Sequence, residues 1–559
     1  TPCPMISRFL VPFLVLSLAL VATWPGTNGS FVYDDLPYVV LNEAVSGSAP
    51  VLSSPLGEAN QGLWRPATVW TWRAQWSGDS PAADMLTLNV WLHALVSLLV
   101  LALGRRLGLS PSASALGAML FAVHPVHAES VAWITGRAEL LAAAWLLAAW
   151  LAHLASGRWA TAASVVALTL ACLSKENALI APGLFLLADL CSKARPLPWA
   201  RLALLAAVSL ALFGARSLVL ENSLPAQGPF LHSDLAARTV VAMAILGKSL
   251  QLLLLPHPLR IHYHPGEFEV LGPVALGLVA AAAVAVVLLW SRHRPAALAV
   301  LLIPATLFPV LHLVPIGEPF AERFLYLPSV PFCLAVGALL AGWSRAELSR
   351  RGLGASLIAA ALLISAAALA SRAASRVFHD DLSLWAHAAE VAPELAMTHY
   401  NHGTFLVDAG QQHSRDASLP GAEAELRASL EIRPHHHQAA WAHQTLGHYA
   451  LGAMGNDLPD PTAAARHYRE ALEQLPELID ARINLASIAI QNPELVDPDE
   501  ARELLLPLVM NPELDPGQRL TIENLATQLS AAEPPSERPP EADPSGASAE
   551  PGKSSPAGS

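Results

Sequence analysis

Long apolar runs separated by short charged loops fill the first two thirds of the chain, and short amphipathic helices fill most of the rest. An apolar helix needs ~20 residues to cross the ~30 Å hydrocarbon core of a bilayer. Runs near that length centre on residues 9–24, 86–104, 112–124, 139–155, 160–174, 178–191, 202–219, 271–290, 296–314, 325–343 and 354–371. They predict about eleven transmembrane helices. The segment 238–255 is also apolar but carries Arg238, Lys248 and Gln251, so it reads as re-entrant or interfacial. The first run lacks a small-x-small cleavage site and reads as a span rather than a signal peptide. The four residues before Met5 read as an upstream start.

From about residue 383 the spacing changes to amphipathic helices of 12–15 residues. Helix endings recur at Trp385–Pro393, Ala424–Pro434 and Ala463–Pro476, and the prolines at 393, 434, 476 and 512 are spaced 41, 42 and 36 residues apart. A tetratricopeptide repeat (TPR) is ~34 residues long and ends its second helix on a proline. Insertions at 411–420 and 455–461 account for the excess. About three repeats are expected from 383 to 510, with a capping helix near 516–530. Residues 531–559 are rich in Pro, Ser, Glu and Gly and are expected to be disordered. The predicted fold is therefore all-α: a polytopic membrane domain over 1–376, a short TPR solenoid over 377–530, and a tail.

Composition sharpens this division. The 559 residues are 53% hydrophobic and only 14% charged, against about 25% charged in ordinary soluble domains. Residues 1–376 hold 23 Lys/Arg against 17 Asp/Glu, and residues 377–559 hold 10 against 28. The acidic part excludes nucleic acid as a partner, because phosphate backbones require Lys/Arg stripes. The four cysteines show no CxxC or Cys/His spacing, so they indicate neither a disulfide framework nor a zinc site.

Charge also orients the chain. Arg8, Arg105/Arg106, Arg158, Lys193/Arg195/Arg201, Arg292/Arg294 and Arg345/Arg350/Arg351 fall on one side if the N-terminus is cytoplasmic and eleven helices cross. The TPR domain then lies on the other face. That face also receives the unusual loops: 25–85, His124–Arg137, Leu173–Glu176, Leu255–His264 and Val314–Pro328. Ionisable groups gathered at a membrane boundary are costly and point to a cavity.

Four motifs carry a family resemblance: Val32-Tyr-Asp-Asp35, Arg65-Pro66, His124-Pro-Val-His-Ala-Glu-Ser-Val-Ala-Trp-Ile-Thr-Gly-Arg137 and Glu322-Arg-Phe-Leu-Tyr-Leu-Pro-Ser329. With the order of membrane part then repeats, they resemble the TMTC family, transmembrane and TPR-containing O-mannosyltransferases, over roughly residues 8–510. The resemblance implies a GT-C glycosyltransferase fold and transfer of a mannose-like sugar from a polyprenyl-phosphate donor to protein Ser/Thr hydroxyls outside the cytoplasm. Two departures stand out: the repeat array is short, and the second loop carries Ala128-Glu129 where many relatives have Thr-Glu.

Inverting transfer to a hydroxyl requires a base that takes its proton. Asp34 is the first candidate and Asp35 the second, one acting as base while the other orients the loop. The leaving phosphate needs cationic stabilisation, for which Arg137, Lys175 and Arg323 are candidates. Arg65, His124, His127, Glu129, Glu176, Glu322 and Tyr326 are expected to line the same pocket. His124, His127 and Glu129 could instead hold a divalent metal, but no third well-placed ligand is evident and a polar-cavity reading is favoured. His262/His264 are read the same way, and His435–His437 as solvated. Trp64, Trp70, Trp72 and Trp76 suggest an amphipathic helix on the membrane surface.

The implied partners are the lipid-linked donor, a protein or peptide acceptor held by the TPR groove, and membrane lipid, with no firm cofactor. The alternative is a membrane-anchored TPR scaffold without catalysis. Alanine- and arginine-rich usage suggests a bacterial inner-membrane protein with periplasmic repeats. A eukaryotic source would place the repeats in the endoplasmic reticulum lumen.

Overall fold

The computed structural model describes residues 4–531 apart from 57–62, 78–81, 193–196, 221–227, 293, 344–349, 414–420, 436–437, 453–458, 510, 512–513 and 515. The expected tail beyond Ala531, the basic-loop residues Lys193, Arg195 and Arg345, and His436 and His437 lie outside the described residues. Everything regular in the described residues is helical, so the fold is all-α as expected.

Among the described residues, six helices are long and apolar enough to cross a membrane: Phe9–Asn28, Ala82–Arg106, Trp199–Val219, Leu235–Leu254, Pro273–Trp290 and Ile358–Val377. The other expected spans are shorter: Pro111–Ala122, Arg137–His153, Arg158–Ser174, Ala181–Ser192, Arg294–Leu307 and Ser329–Trp343. Together they make a polytopic membrane domain. The segment expected to be re-entrant or interfacial, 238–255, falls almost wholly within a helix. Leu235–Leu254 is one uninterrupted helix, capped by Asp234, whose carboxylate accepts the Ala237 N–H at 2.7 Å, and it packs on Pro273–Arg292. Arg238 is accommodated by donating to Leu313 O at 3.2 Å.

Small residues set how closely the central helices approach. Ala82–Arg106 packs against Pro111–Ala122 and Arg137–His153, and Pro111–Ala122 packs against Ser329–Trp343. At that last crossing a Cβ on Gly337 would lie 2.4 Å from Ala113 O and 2.5 Å from Gly117 N. Only glycine allows the two backbones to meet there. The helix that begins the chain packs on Ala82–Arg106, Pro111–Ala122 and Arg350–Val377, and so forms part of the bundle.

The chain divides into two compact units, Thr1–Phe405 and Leu406–Ser559. The first extends past the join expected at residue 376. Helix Asp381–Val391 belongs to it because Trp385, 1% exposed, is buried against Tyr33 and His262. In the second unit Ala422–Ile432, Ala439–Ala450, Pro461–Gln474, Ile479–Gln491, Pro498–Val509 and Pro516–Ala531 pack each on the next. Gly447 makes room for the Tyr468 ring, 2.6 Å from where its Cβ would stand. Ala464, Ala465, Ala471, Ala481, Leu485 and Ala489 continue this core.

Gly337→Val is expected to destabilise the membrane unit by about 3 kcal/mol, read as thermal unfolding of the purified protein. An unchanged midpoint would show that the crossing has slack.

Candidate functional site

The first loop folds into a turn around Asp35. The Asp35 N–H donates to Val32 O at 2.9 Å, and Asp35 Oδ2 accepts from the Val32 N–H at 3.2 Å. Asp35 Oδ1 reaches the second loop, accepting from Thr135 N–H at 2.9 Å and Thr135 Oγ1 at 2.7 Å. Asp35 is fully buried, and burial raises its pKa to about 7 against the lowering by its Thr135 hydrogen bond. Its oxygens are committed to the fold. Asp35 is therefore a brace, which removes it from the two candidate bases.

Tyr33 completes the brace. Its φ of 50° lies in the left-handed region, sparsely populated by bulky residues and sustained only by surrounding contacts. The Tyr33 N–H donates to Asp381 Oδ1 at 2.9 Å, and its ring lies 5.4–5.9 Å from Trp133, His262 and Trp385. The Asp34 carboxylate is half-buried, and among the described residues no group donates to it. Burial raises its pKa to about 6, while Arg323 pulls it down and Glu318 and Glu129 push it up.

The second loop doubles back on itself. A Cβ on Gly136 would meet Ser130 O at 2.5 Å and Glu129 O at 2.8 Å, so glycine is required where the loop recrosses. Glu129, 3% exposed, accepts from the Arg323 N–H at 2.6 Å and also binds the Arg323 guanidinium through Nη1. The second and fifth loops are thereby locked. Arg323 Cζ stands 5.3 Å over the Trp133 ring and 5.4 Å over Phe324. Its Nε and Nη2 donate to none of the described residues, and its side chain is 17% exposed.

Two further ion pairs border this place. Arg65 donates from Nε and Nη2 to both Glu176 oxygens at 3.1 and 2.7 Å. Burial would raise the Glu176 pKa, but Arg65 overrides it and lowers it to about 2. Lys175 pairs with Glu139 and lies 5.4 Å over the Phe324 ring. Arg65 and Arg323 both act electrostatically on Asp34 and on Tyr38. Asp34, Arg65, Glu129, Glu176 and Arg323 are thus neighbours drawn from four loops.

Other candidate residues are held by partners within the fold. Arg137 is fully buried, donating from Nε to Asn89 Oδ1 at 2.9 Å, from Nη1 to Thr71 Oγ1 at 3.3 Å and from Nη2 to Met85 O at 2.8 Å. These three bonds hold loops together around a guanidinium shut off from solvent. Tyr326 is fully buried 2.9 Å from His93 Nδ1. Glu322 is a brace, accepting from Arg260 N–H at 2.6 Å and Tyr263 Oη at 2.7 Å. Its pKa is raised to about 8, by burial first and Glu129 second. His124 donates from Nε2 to Leu253 O at 3.0 Å and accepts the Val126 N–H, and His127 Nε2 lies 2.8 Å from Ser329 Oγ. With Glu129 on Arg323, these residues do not form one ligand set.

The tryptophan helix is also more embedded than expected. Trp72 is fully buried within Pro66–Gln75, and Thr68 Oγ1 donates to Ser174 O at 3.0 Å, while Trp70 remains 57% exposed. His264 caps the turn Pro265–Phe268 with Glu267. Sequence reading passed over Glu318, Thr135 and Tyr33 as functional, although each lay inside a quoted motif.

These features define a helical membrane protein with a cluster of charged side chains gathered by its loops, and its relatives are consistent with that class. A Caenorhabditis elegans protein, "Protein O-mannosyl-transferase F38B6.6", is 27% identical over 428 residues, covering 71% of this chain and 60% of that protein. Human "Protein O-mannosyl-transferase TMTC4" is 33% identical over 179 residues, covering 27% of this chain and 24% of its own. Mouse TMTC4 is 26% identical over 475 residues, covering 69% of this chain and 62% of its own. The chain thus spans less than two thirds of the length of each of these. The resemblance to the TMTC family seen in the motifs is borne out. No protein-family model matches the chain. Among solved structures, the Archaeoglobus fulgidus oligosaccharyltransferase has a TM-score of 0.41 at 13% identity, covering 66% of this chain and 55% of that one. ArnT from Cupriavidus metallidurans bound to undecaprenyl phosphate has 0.39 at 16%, covering 90% of this chain and 92% of that one.

Arg65→Met alone strands Glu176 and is expected to cost about 3 kcal/mol of stability. The double change Arg65→Met/Glu176→Leu should restore most of it. Additive effects in that double-mutant cycle would show that the pair is not coupled.

Proposed function

We propose that the protein is an inverting membrane glycosyltransferase that moves a sugar from a polyprenyl-phosphate donor to a protein hydroxyl. The observation that carries this reading is the pairing of a half-buried carboxylate, Asp34, which no described residue hydrogen bonds, with a guanidinium, Arg323, whose Nε and Nη2 have no described acceptor. A base must have room for the proton it takes. A leaving phosphate that gains a second negative charge needs N–H donors fixed in advance.

In the proposed step the acceptor hydroxyl lies against Asp34. Its oxygen forms a bond to the sugar's anomeric carbon as the bond from that carbon to the phosphate oxygen breaks. The proton passes to Asp34, and the electron pair leaves with the polyprenyl phosphate. Arg323 holds the phosphate, with its remaining donors kept in place by Glu129 on Nη1 and by Trp133 beneath. Arg65 and Lys175 keep the surrounding potential positive, although each is partly neutralised by its own glutamate. No general acid is required, because the phosphate is already a good leaving group.

Other features support a lipid donor and a protein acceptor. A groove of about 550 Å³ lined by Leu179, Ile180, Leu184, Leu210, Ala305 and Phe308 begins four residues beyond Lys175 and offers an apolar bed for an isoprenoid chain. The relatives named as protein O-mannosyl-transferases suggest mannose or a similar sugar. The helical pairs after residue 406 are read as TPRs that hold the acceptor polypeptide. Eleven crossings would put them on the same non-cytoplasmic face as Asp34, periplasmic in a bacterium and luminal in a eukaryote.

Asp34→Asn is expected to lower sugar transfer by about 10²- to 10⁴-fold with expression and membrane insertion unchanged. In the unsubstituted protein the base acts only when ionised. Since burial raises Asp34 to about 6 despite Arg323, the rate should be flat above that pH and fall below it. Retained transfer in Asp34→Asn, measured with a lipid-linked sugar and acceptor peptide, would remove Asp34 from the mechanism.

A further inference from the structure

A second constellation lies in the helical unit after residue 406, apart from the loop site. His443 is on helix Ala439–Ala450, and His467 and Glu470 are on Pro461–Gln474. The i, i+3 spacing puts His467 and Glu470 on one face of their helix, and the two helices pack on each other. His443 Nδ1 and His467 Nδ1 are 3.2 Å apart. Glu470 Oε2 lies 3.0 Å from the first and 3.3 Å from the second. Three atoms that can each offer a lone pair form a nearly equilateral triangle.

The size of that triangle has a chemical meaning. Zinc in tetrahedral coordination holds its nitrogen and oxygen ligands at about 2.0–2.2 Å, which sets ligand atoms about 3.3 Å apart. The observed edges match one face of such a tetrahedron. We propose that His443, His467 and Glu470 bind a divalent transition metal of the zinc class, with water completing the fourth position. The histidine side chains are 12% and 6% exposed and the glutamate 39%, so the site is closed by imidazole and open to solvent past the carboxylate. Imidazole and carboxylate donors suit zinc among the abundant divalent ions.

A metal here would clasp the two helices of one hairpin. It would act on the part of the protein assigned to acceptor binding, and its presence does not depend on the transferase reading. Without a metal, the two imidazoles and the carboxylate would have to share protons within the same triangle.

The test uses the purified full-length chain, stripped with chelator and dialysed against zinc, with metal content measured by elemental mass spectrometry. The comparison is with His443→Ala, Glu470→Gln and, as a control among the chain's 21 histidines, His435→Ala. The unsubstituted protein and His435→Ala should retain one zinc equivalent more than the other two, and should show a zinc-dependent rise in unfolding temperature that the other two lack. Cobalt substitution should give the d–d absorption of a tetrahedral site. Glu470 is partly exposed, so Glu470→Gln keeps the test valid should His443→Ala fold poorly. Equal zinc retention in all four proteins would overturn the proposal.

Discussion

The contact between Glu129 and Arg323 is the constraint on which the site depends. A carboxylate 3% exposed is tolerated only when a fixed charge and hydrogen bonds replace its lost water. Arg323 supplies both, through its backbone N–H and its guanidinium. The two residues are 194 positions apart, so the bond fixes the fifth loop against the second. It also holds Arg323 where its charge acts on Asp34.

Around this contact the loops hold one another by bonds that would be unsatisfied if any were withdrawn. Asp35 ties the first loop to Thr135, Arg137 gathers Asn89, Thr71 and Met85, and Glu322 holds Arg260 and Tyr263. Each is a buried polar group whose partners come from elsewhere in the chain, the arrangement that makes such networks rigid and specific. Asp34 is the exception, a half-buried acid left without a described donor beside braced ones. The two adjacent acids thus differ, Asp35 bonded to Val32 and Thr135 and Asp34 to no described donor.

Much of the architecture was legible in the chain because apolar run length and helix periodicity are local properties. The helix ends after Ser192 and the hairpin from Ala439 to Gln474 fall close to where periodicity put them. Leu235–Leu254 is harder to read as one long apolar helix because it carries Arg238 and Lys248. Their accommodation depends on Leu313 O and on the Tyr263 ring, 5.3 Å from Lys248 Nζ, both distant in sequence. The same limit governed the site. The motifs held the right residues, yet residue type alone could not separate Arg323, with Nε and Nη2 unbonded among the described residues and 17% exposed, from the fully buried Arg137. The boundary at 376 failed for a similar reason, since the docking of Trp385 on Tyr33 is invisible locally. The triangle of His443, His467 and Glu470 escaped notice because its ligands come from two helices and match no compact spacing.

The central claim is that Arg323 binds phosphate while Asp34 acts on the acceptor. Binding of a polyprenyl phosphate to the purified protein, followed by native mass spectrometry, separates the two roles. The account predicts tight binding to the unsubstituted protein and to Asp34→Asn, and a loss of at least about tenfold, or ~1.4 kcal/mol, in Arg323→Met. Equal binding by all three proteins would contradict it.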